Sequence, residues 1–277
     1  MNPHEYCQQK AAQSGSSFYY SFLFLPPAQR RAITALYAFC REVDDAVDEC
    51  TDPSVARAKL GWWSQEIVNV FHGEPQHPVA RALAEVVGPF HLAETDLQKV
   101  IAGMAMDLEY QRYPDFRALE HYCHHVAGVV GLLSAEIFGY SDPRTLEYAS
   151  DLGLAFQLTN IVRDVGEDAR RSRIYLPLDE LARFGVSAAD VLQRRENEAF
   201  RQLMHFQIER AFSYYDKAFS KLPAADRRAQ RPGMMMAAIY RALLTEIRAD
   251  PCAVLTQRVS LTPLRKLWIA WRTWVSV

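Results

Sequence analysis

Apolar and polar positions alternate along this chain with a helical period, and two segments repeat one arrangement. In YAFCREVDDAVDE the polar residues Tyr37, Arg41, Asp44 and Asp48 stand three or four positions apart. In FQLTNIVRDVGED the same holds for Gln157, Asn160, Asp164 and Asp168. Each set covers about three helical turns and projects from one face. The flanking residues are apolar: Leu36, Phe39, Val43 and Val47 in one helix, Leu158, Ile161, Val162 and Val165 in the other. Helices apolar on their remaining sides are buried there. Carboxylates in such a setting are costly unless positive charge lies between them. Two facing stripes would therefore make a cage for divalent cations and a polyanion.

Between Pro- and Gly-containing breaks, the periodicity predicts helices at 27–49, 54–72, 78–87, 94–113, 117–139, 143–168, 188–221, 233–249 and 262–275. No run of strand alternation occurs, so the expected class is all-α. No Gly/Ser linker or charge block divides the chain, which predicts one domain over residues 1–277. Nothing repeats internally beyond the two stripes.

Composition narrows the chemistry. Hydrophobic residues make up 49% of the 277, enough for a sizeable core. A net charge of −2 argues against a general nucleic-acid binder. Arginine outnumbers lysine 25 to 6. That suits bidentate phosphate contacts, although a GC-rich coding bias gives the same ratio. Five scattered cysteines without a CxxC pair indicate neither a zinc site nor a disulfide framework, and fit a reducing compartment. MNPHEYCQQKAAQSG lacks a signal-peptide pattern, and no stretch is apolar enough to span a bilayer, so a cytoplasmic protein is expected.

Each candidate has a plainer alternative. The aspartates beside Arg41 and Arg163 are either Mg²⁺ ligands, with phosphate oxygens completing the shell, or Arg–Asp staples between helices. Arg170, Arg171 and Arg173 follow the second stripe. They could close over phosphates or complement a helix C-terminus. Ser14, Ser16 and Ser17 could donate to a phosphate or cap a helix. Gly128 and Gly131 in YCHHVAGVVG admit either an apolar ligand or a close helix neighbour. His124 and His125 are adjacent, point to different faces and make a poor metal pair. Phe18, Phe22, Val129, Leu133 and Leu154 are candidates for a cavity floor. The final segment places Trp268, Trp271 and Trp274 beside Arg265, Lys266 and Arg272. It suits either a membrane interface or a closing helix.

Taken together, SFYYSFLFLPPAQRRAITALYAFCREVDDAVDE, GMAMDLEYQRY, YCHHVAGVVG and QLTNIVRDVGEDARRSRIYLP, with Tyr240 and Arg258, resemble the squalene/phytoene synthase family from about Ser14 to Lys266. The resemblance implies an all-α isoprenoid synthase fold, a single helical domain around a deep central cavity. It also implies head-to-head joining of two prenyl diphosphates, with two or three Mg²⁺ ions held by Asp44, Asp48, Asp164 and Asp168. Ser17, Arg41, Arg163, Arg173, Tyr240 and Arg258 then match diphosphate-contacting positions. Tyr37, Tyr122, Gln157 and Asn160 match polar cavity positions, and Tyr122 or released diphosphate would take up the proton.

The opening segments look most like bacterial members of hopanoid biosynthesis that convert farnesyl diphosphate to presqualene diphosphate without NADPH. Phytoene or dehydrosqualene synthase, full NADPH-dependent squalene synthase and a lipid-binding module without chemistry are the alternatives. Downstream pathway enzymes, and the inner membrane face through the tryptophan-rich segment, are the expected partners.

Overall fold

Proline sets the start of several helices. Pro27, Pro53, Pro78 and Pro263 each open one, where the missing N–H is harmless and φ is already helical. The structure, a computed structural model, describes residues 2–13, 21–22 and 24–276. Its helices are α1 (Pro3–Gln13), α2 (Pro27–Asp48), α3 (Pro53–His72), α4 (Pro78–Val87), α5 (Glu94–Glu109) and α6 (Phe116–Cys123). After a wider π-type turn at His124–Gly128 come α7 (Val129–Phe138), α8 (Arg144–Arg170), α9 (Leu178–Phe184) and α10 (Ala188–Leu192). The chain ends with α11 (Glu198–Lys221), α12 (Arg231–Ala249) and α13 (Pro263–Ser276). Among the described residues there is no strand, only one isolated bridge between Arg112 and Ile174. None of these helices is long and apolar enough to cross a membrane.

The departures from the sequence pattern have local causes. The helix expected over 94–113 stops at Glu109, because Tyr110 turns extended and the chain pairs at Arg112 ahead of Pro114. The helix expected over 117–139 is interrupted by the π-type turn. That expected over 188–221 splits where Arg194 takes φ 54° and Asn197 caps α11 through the amide of Phe200. Two helices carried too little apolar signal to be read. Helix α1 buries only Cys7 and Ala11. Helix α9 is seven residues long and ends at Gly185 with φ 71°.

The core has two parts. One gathers around α2, with residues from α1, α3, α4, α5 and α7. The other gathers around α8, with α6, α11 and α12. The flanking residues of both stripes are buried there, from Leu36 to Val47 and from Leu158 to Val165. At the seam lies a cavity of about 200 Å³. Its walls include Leu36, Tyr37 and Cys40 of α2, Val130, Ser134 and Phe138 of α7, and Met236 of α12. Leu152, Phe156, Gln157 and Asn160 of α8 complete them. Of the expected floor residues Phe22 lines the cavity, and Phe18 lies outside the described residues. Val129 and Leu133 turn into the α2 core instead, since the lining face of α7 runs through 130, 134 and 138. Leu154 lies against Gly128 in the α8 core.

Helices α7 and α8 touch through backbone. A Cβ on Gly131 would stand 2.1 Å from the carbonyl oxygen of Ala149, and one on Gly153 would stand 2.2 Å from that of Ala127. Both glycines also line the cavity, so close packing and ligand space share one origin. Gly153→Ala should cost about 1–3 kcal/mol through overpacking. Gly61→Ala, on an open face of α3 with nothing within 4 Å, should instead stabilise by up to about 1 kcal/mol. Thermal unfolding of both variants tests this, and equal shifts would contradict it.

Candidate active site

The two acidic ridges meet at the mouth of the cavity. Beyond the end of α8, Arg171 donates to Asp48 at 2.5 Å and Arg173 donates to its other oxygen at 2.8 Å. These bonds tie the C-terminal ends of α2 and α8 together, so the stripes face each other. Arg170 is exposed. On α2, Arg41 donates to Asp44 at 2.8 Å and to Asp45 at 2.7 Å. On α8, Arg163 pairs with Asp164, and Arg258 reaches the same carboxylate at 3.2 Å. Arg163 also donates to the hydroxyl of Tyr240, whose ring stands edge-on to Phe156 at 5.2 Å. Tyr37, Gln157 and Asn160 line the cavity below. Ser14, Ser16 and Ser17 lie outside the described residues.

On these ridges Asp44, Asp164 and Asp168 are half-buried and Asp48 is exposed, where the apolar flanks predicted burial. Among the described residues no three His, Cys, Asp or Glu groups converge as a metal cluster, and arginines already engage Asp44, Asp48 and Asp164.

Asp107 on α5 was not legible as a site residue. It follows an apolar run, two residues before Glu109, with no repeated stripe to mark it. Its carboxylate accepts from Tyr122 at 2.9 Å and from Tyr175 at 2.8 Å. Tyr122 therefore stands behind Asp107 rather than on the cavity wall. Burial, and then the charge of Asp107, hold its phenol protonated far above the ordinary range. A hydroxyl that is protonated and already donating is a poor proton acceptor. Lys266 is a second residue the sequence did not single out for the mouth. Burial, then the charges of Arg163 and Arg258, lower its pKa.

Electrostatics set these acids apart from structural ones. Burial, then repulsion from Asp48, pushes Asp44 up to about 6. Burial, then repulsion from Asp164, pushes Asp168 up to about 8. Burial pushes Asp107 up to about 6 despite its two tyrosine donors and nearby Arg173. Asp107 in turn raises both Asp44 and Asp168, so α2, α5 and α8 share one field. Asp226 behaves oppositely. Burial would raise it, yet donors from Ser141, Thr145 and the Asp142 amide bring it down to about 2.

The donor chemistry fits Mg²⁺. The groups are hard oxygens, and Mg²⁺ usually takes only one or two carboxylates, leaving other positions to water and phosphate. The Oδ1 of Asn160 is buried without a partner one turn before Asp164, an acceptor waiting for a cation or donor.

A pH dependence follows for the metal-free protein. Folded Asp168 keeps its proton up to about 8, whereas the free side chain releases it near 3.8. Between those values the folded state binds more protons, so stability falls as pH rises through this window. Asp168→Asn should therefore raise Tm at pH 8 without metal and leave it nearly unchanged at pH 4. A lower Tm at pH 8 would show that the charged carboxylate is stabilising.

Known proteins share the sequence and fold of this chain. The family model for squalene/phytoene synthase matches residues 11–265. Phytoene synthase from Arthrospira platensis is 38% identical over 95% of this chain and 90% of its own. 15-cis-phytoene synthase from Synechocystis sp. is 38% identical over 97% and 84%. Among solved structures, a dehydrosqualene synthase superposes with a TM-score of 0.87 at 27% identity, covering 99% of this chain and 96% of its own. Squalene synthase HpnC from Alicyclobacillus acidocaldarius gives 0.79 at 28%, covering 90% and 94%. A mouth of facing acids and arginines above an apolar cavity thus sits in an isoprenoid synthase fold, and the chain belongs to the squalene/phytoene synthase family of prenyltransferases.

Proposed function

We propose that the protein joins two farnesyl diphosphates head to head and releases presqualene diphosphate without a reduction step. The observation that carries this reading is the junction of a charged mouth with a blunt apolar cavity. Phe22, Phe138 and Tyr148 line that cavity, and in this reading they stop the prenyl chain at fifteen carbons. Asp44, Asp48, Asp164 and Asp168, with Asn160, would hold Mg²⁺, which supplies positive charge to the departing diphosphate.

The chain's own residues do the rest. Arg163, Arg171, Arg173 and Arg258 turn from their carboxylates to the diphosphate of the first substrate, where negative charge develops. Arg41 and Tyr240 hold its flank. Tyr37 and Gln157 orient the second substrate at the throat. The apolar wall keeps water from the allylic cation at carbon 1. That carbon bonds to carbon 2 of the second substrate, leaving a cation at carbon 3. Loss of a proton from the first carbon 1 closes the cyclopropane, and the second diphosphate stays attached. Released diphosphate is the base in this scheme, and Tyr122 positions Asp107. Ser17 remains a candidate phosphate donor.

A second reading, phytoene synthesis from two twenty-carbon diphosphates, is favoured by the names of the relatives at 38% identity. Both readings share the cyclopropane-forming half-reaction. Incubation with farnesyl or geranylgeranyl diphosphate, with and without NADPH, separates them after phosphatase treatment. Presqualene alcohol from farnesyl diphosphate under both conditions is expected. Phytoene from the longer substrate would favour the second reading, and squalene formed only with NADPH would overturn the unreduced product. Asp48→Asn and Asp168→Asn should each lower turnover at least about a hundredfold. Near-normal rates at saturating Mg²⁺ would contradict the ligand assignment.

A further inference from the structure

Helix α13 carries an apolar face that stays exposed among the described residues. Among the described residues nine large hydrophobic side chains are exposed, and five of them are on this one helix: Leu264, Leu267, Trp268, Trp271 and Val275. At 3.6 residues per turn these five fall within an arc of about 100°. Leu264 is 81% exposed, Trp268 58% and Trp271 47%. The indole rings of Trp268 and Trp271 lie 5.2 Å apart. Exposed Arg265 and Arg272 flank one edge of the arc.

The remaining sides of the helix are fixed to the body. Ala270 is fully buried, Trp274 stacks on Phe24 at 5.3 Å, and the Arg231 guanidinium lies 4.9 Å from the Trp274 ring centroid. Arg265 donates to Glu246 of α12 at 2.7 Å. The helix is therefore held rigidly with its apolar face outward.

We infer that this face of α13 docks onto the surface of an anionic lipid bilayer. The charge selects the occupant. At its exposed edge the helix carries Arg272 and Arg265, the latter paired with Glu246, and it contains no acid, in a chain whose net charge is −2. A second copy packed face to face by two-fold symmetry would bring these cations together, whereas an anionic leaflet attracts them. Indole rings prefer the boundary between headgroups and acyl chains, and an apolar arc edged by arginine is the pattern of a helix lying in that boundary. The position gives the docking a purpose. Helix α12, on which α13 packs, supplies Pro232, Gly233 and Met236 to the cavity wall. A thirty-carbon product leaving that cavity meets lipid rather than water. This purpose rests on the proposed function; the docking itself rests on the helix.

Flotation of the full chain with vesicles of phosphatidylcholine, with and without phosphatidylglycerol, tests the inference. The protein should float with the anionic vesicles and be released by high salt. Trp268→Ala/Trp271→Ala should partition at least about tenfold less, while turning over detergent-dispersed farnesyl diphosphate at the wild-type rate. Bromine-labelled acyl chains should quench tryptophan emission of the wild type and not of Trp268→Phe/Trp271→Phe. Failure of the wild type to float, or undiminished flotation of the double alanine variant, overturns docking through this face. So does a concentration-dependent dimer that the double variant abolishes, without vesicle binding. Loss of turnover with flotation intact would count against the proposed function alone.

Discussion

Mutual repulsion of carboxylates at a half-buried mouth is the constraint around which this protein is arranged. Asp44, Asp48, Asp107, Asp164 and Asp168 come from three helices and share one electrostatic field. Like charges in reduced dielectric are costly. Without ligand the chain offsets the cost in two ways. Arginines engage some acids, and others move toward their protonated forms. Both responses can be reversed by a polyanion arriving with divalent cations, which would take up the arginines and the carboxylates together.

The same constraint separates functional from structural acids. Asp226 is surrounded by donors from Ser141, Asp142 and Thr145 and is held ionised. Glu66 accepts from the amides of Gln76 and His77. These carboxylates are satisfied by fixed dipoles and gain little from a ligand. Asp44 and Asp168 are not satisfied in that way, which leaves them energetically available to one. Beneath them, close passage of α7 over α8 at glycine leaves an apolar space between the two halves of the core. Charge at the rim and hydrocarbon walls below suit an amphiphile with a phosphate head and an isoprenoid tail.

The sequence by itself determined the helical class, most helix starts and both acidic stripes. Proline and capping side chains act locally, and a stripe of polar residues survives on an apolar helix only if it faces something polar. Residues placed by their neighbours in sequence were therefore legible, including Gln157 and Asn160 on the cavity wall. Asp107 and Tyr175 were not, because the two bonds that give Asp107, Tyr122 and Tyr175 their meaning join residues 15 and 68 positions apart. Tertiary structure alone decided that Arg171 and Arg173 strap α8 to Asp48, and that α7 shows the cavity Val130 and Ser134 rather than Val129 and Leu133. It also decided which side of α13 is covered. Periodicity marks a helix as amphipathic, but only packing against a particular neighbour fixes the face left open to solvent.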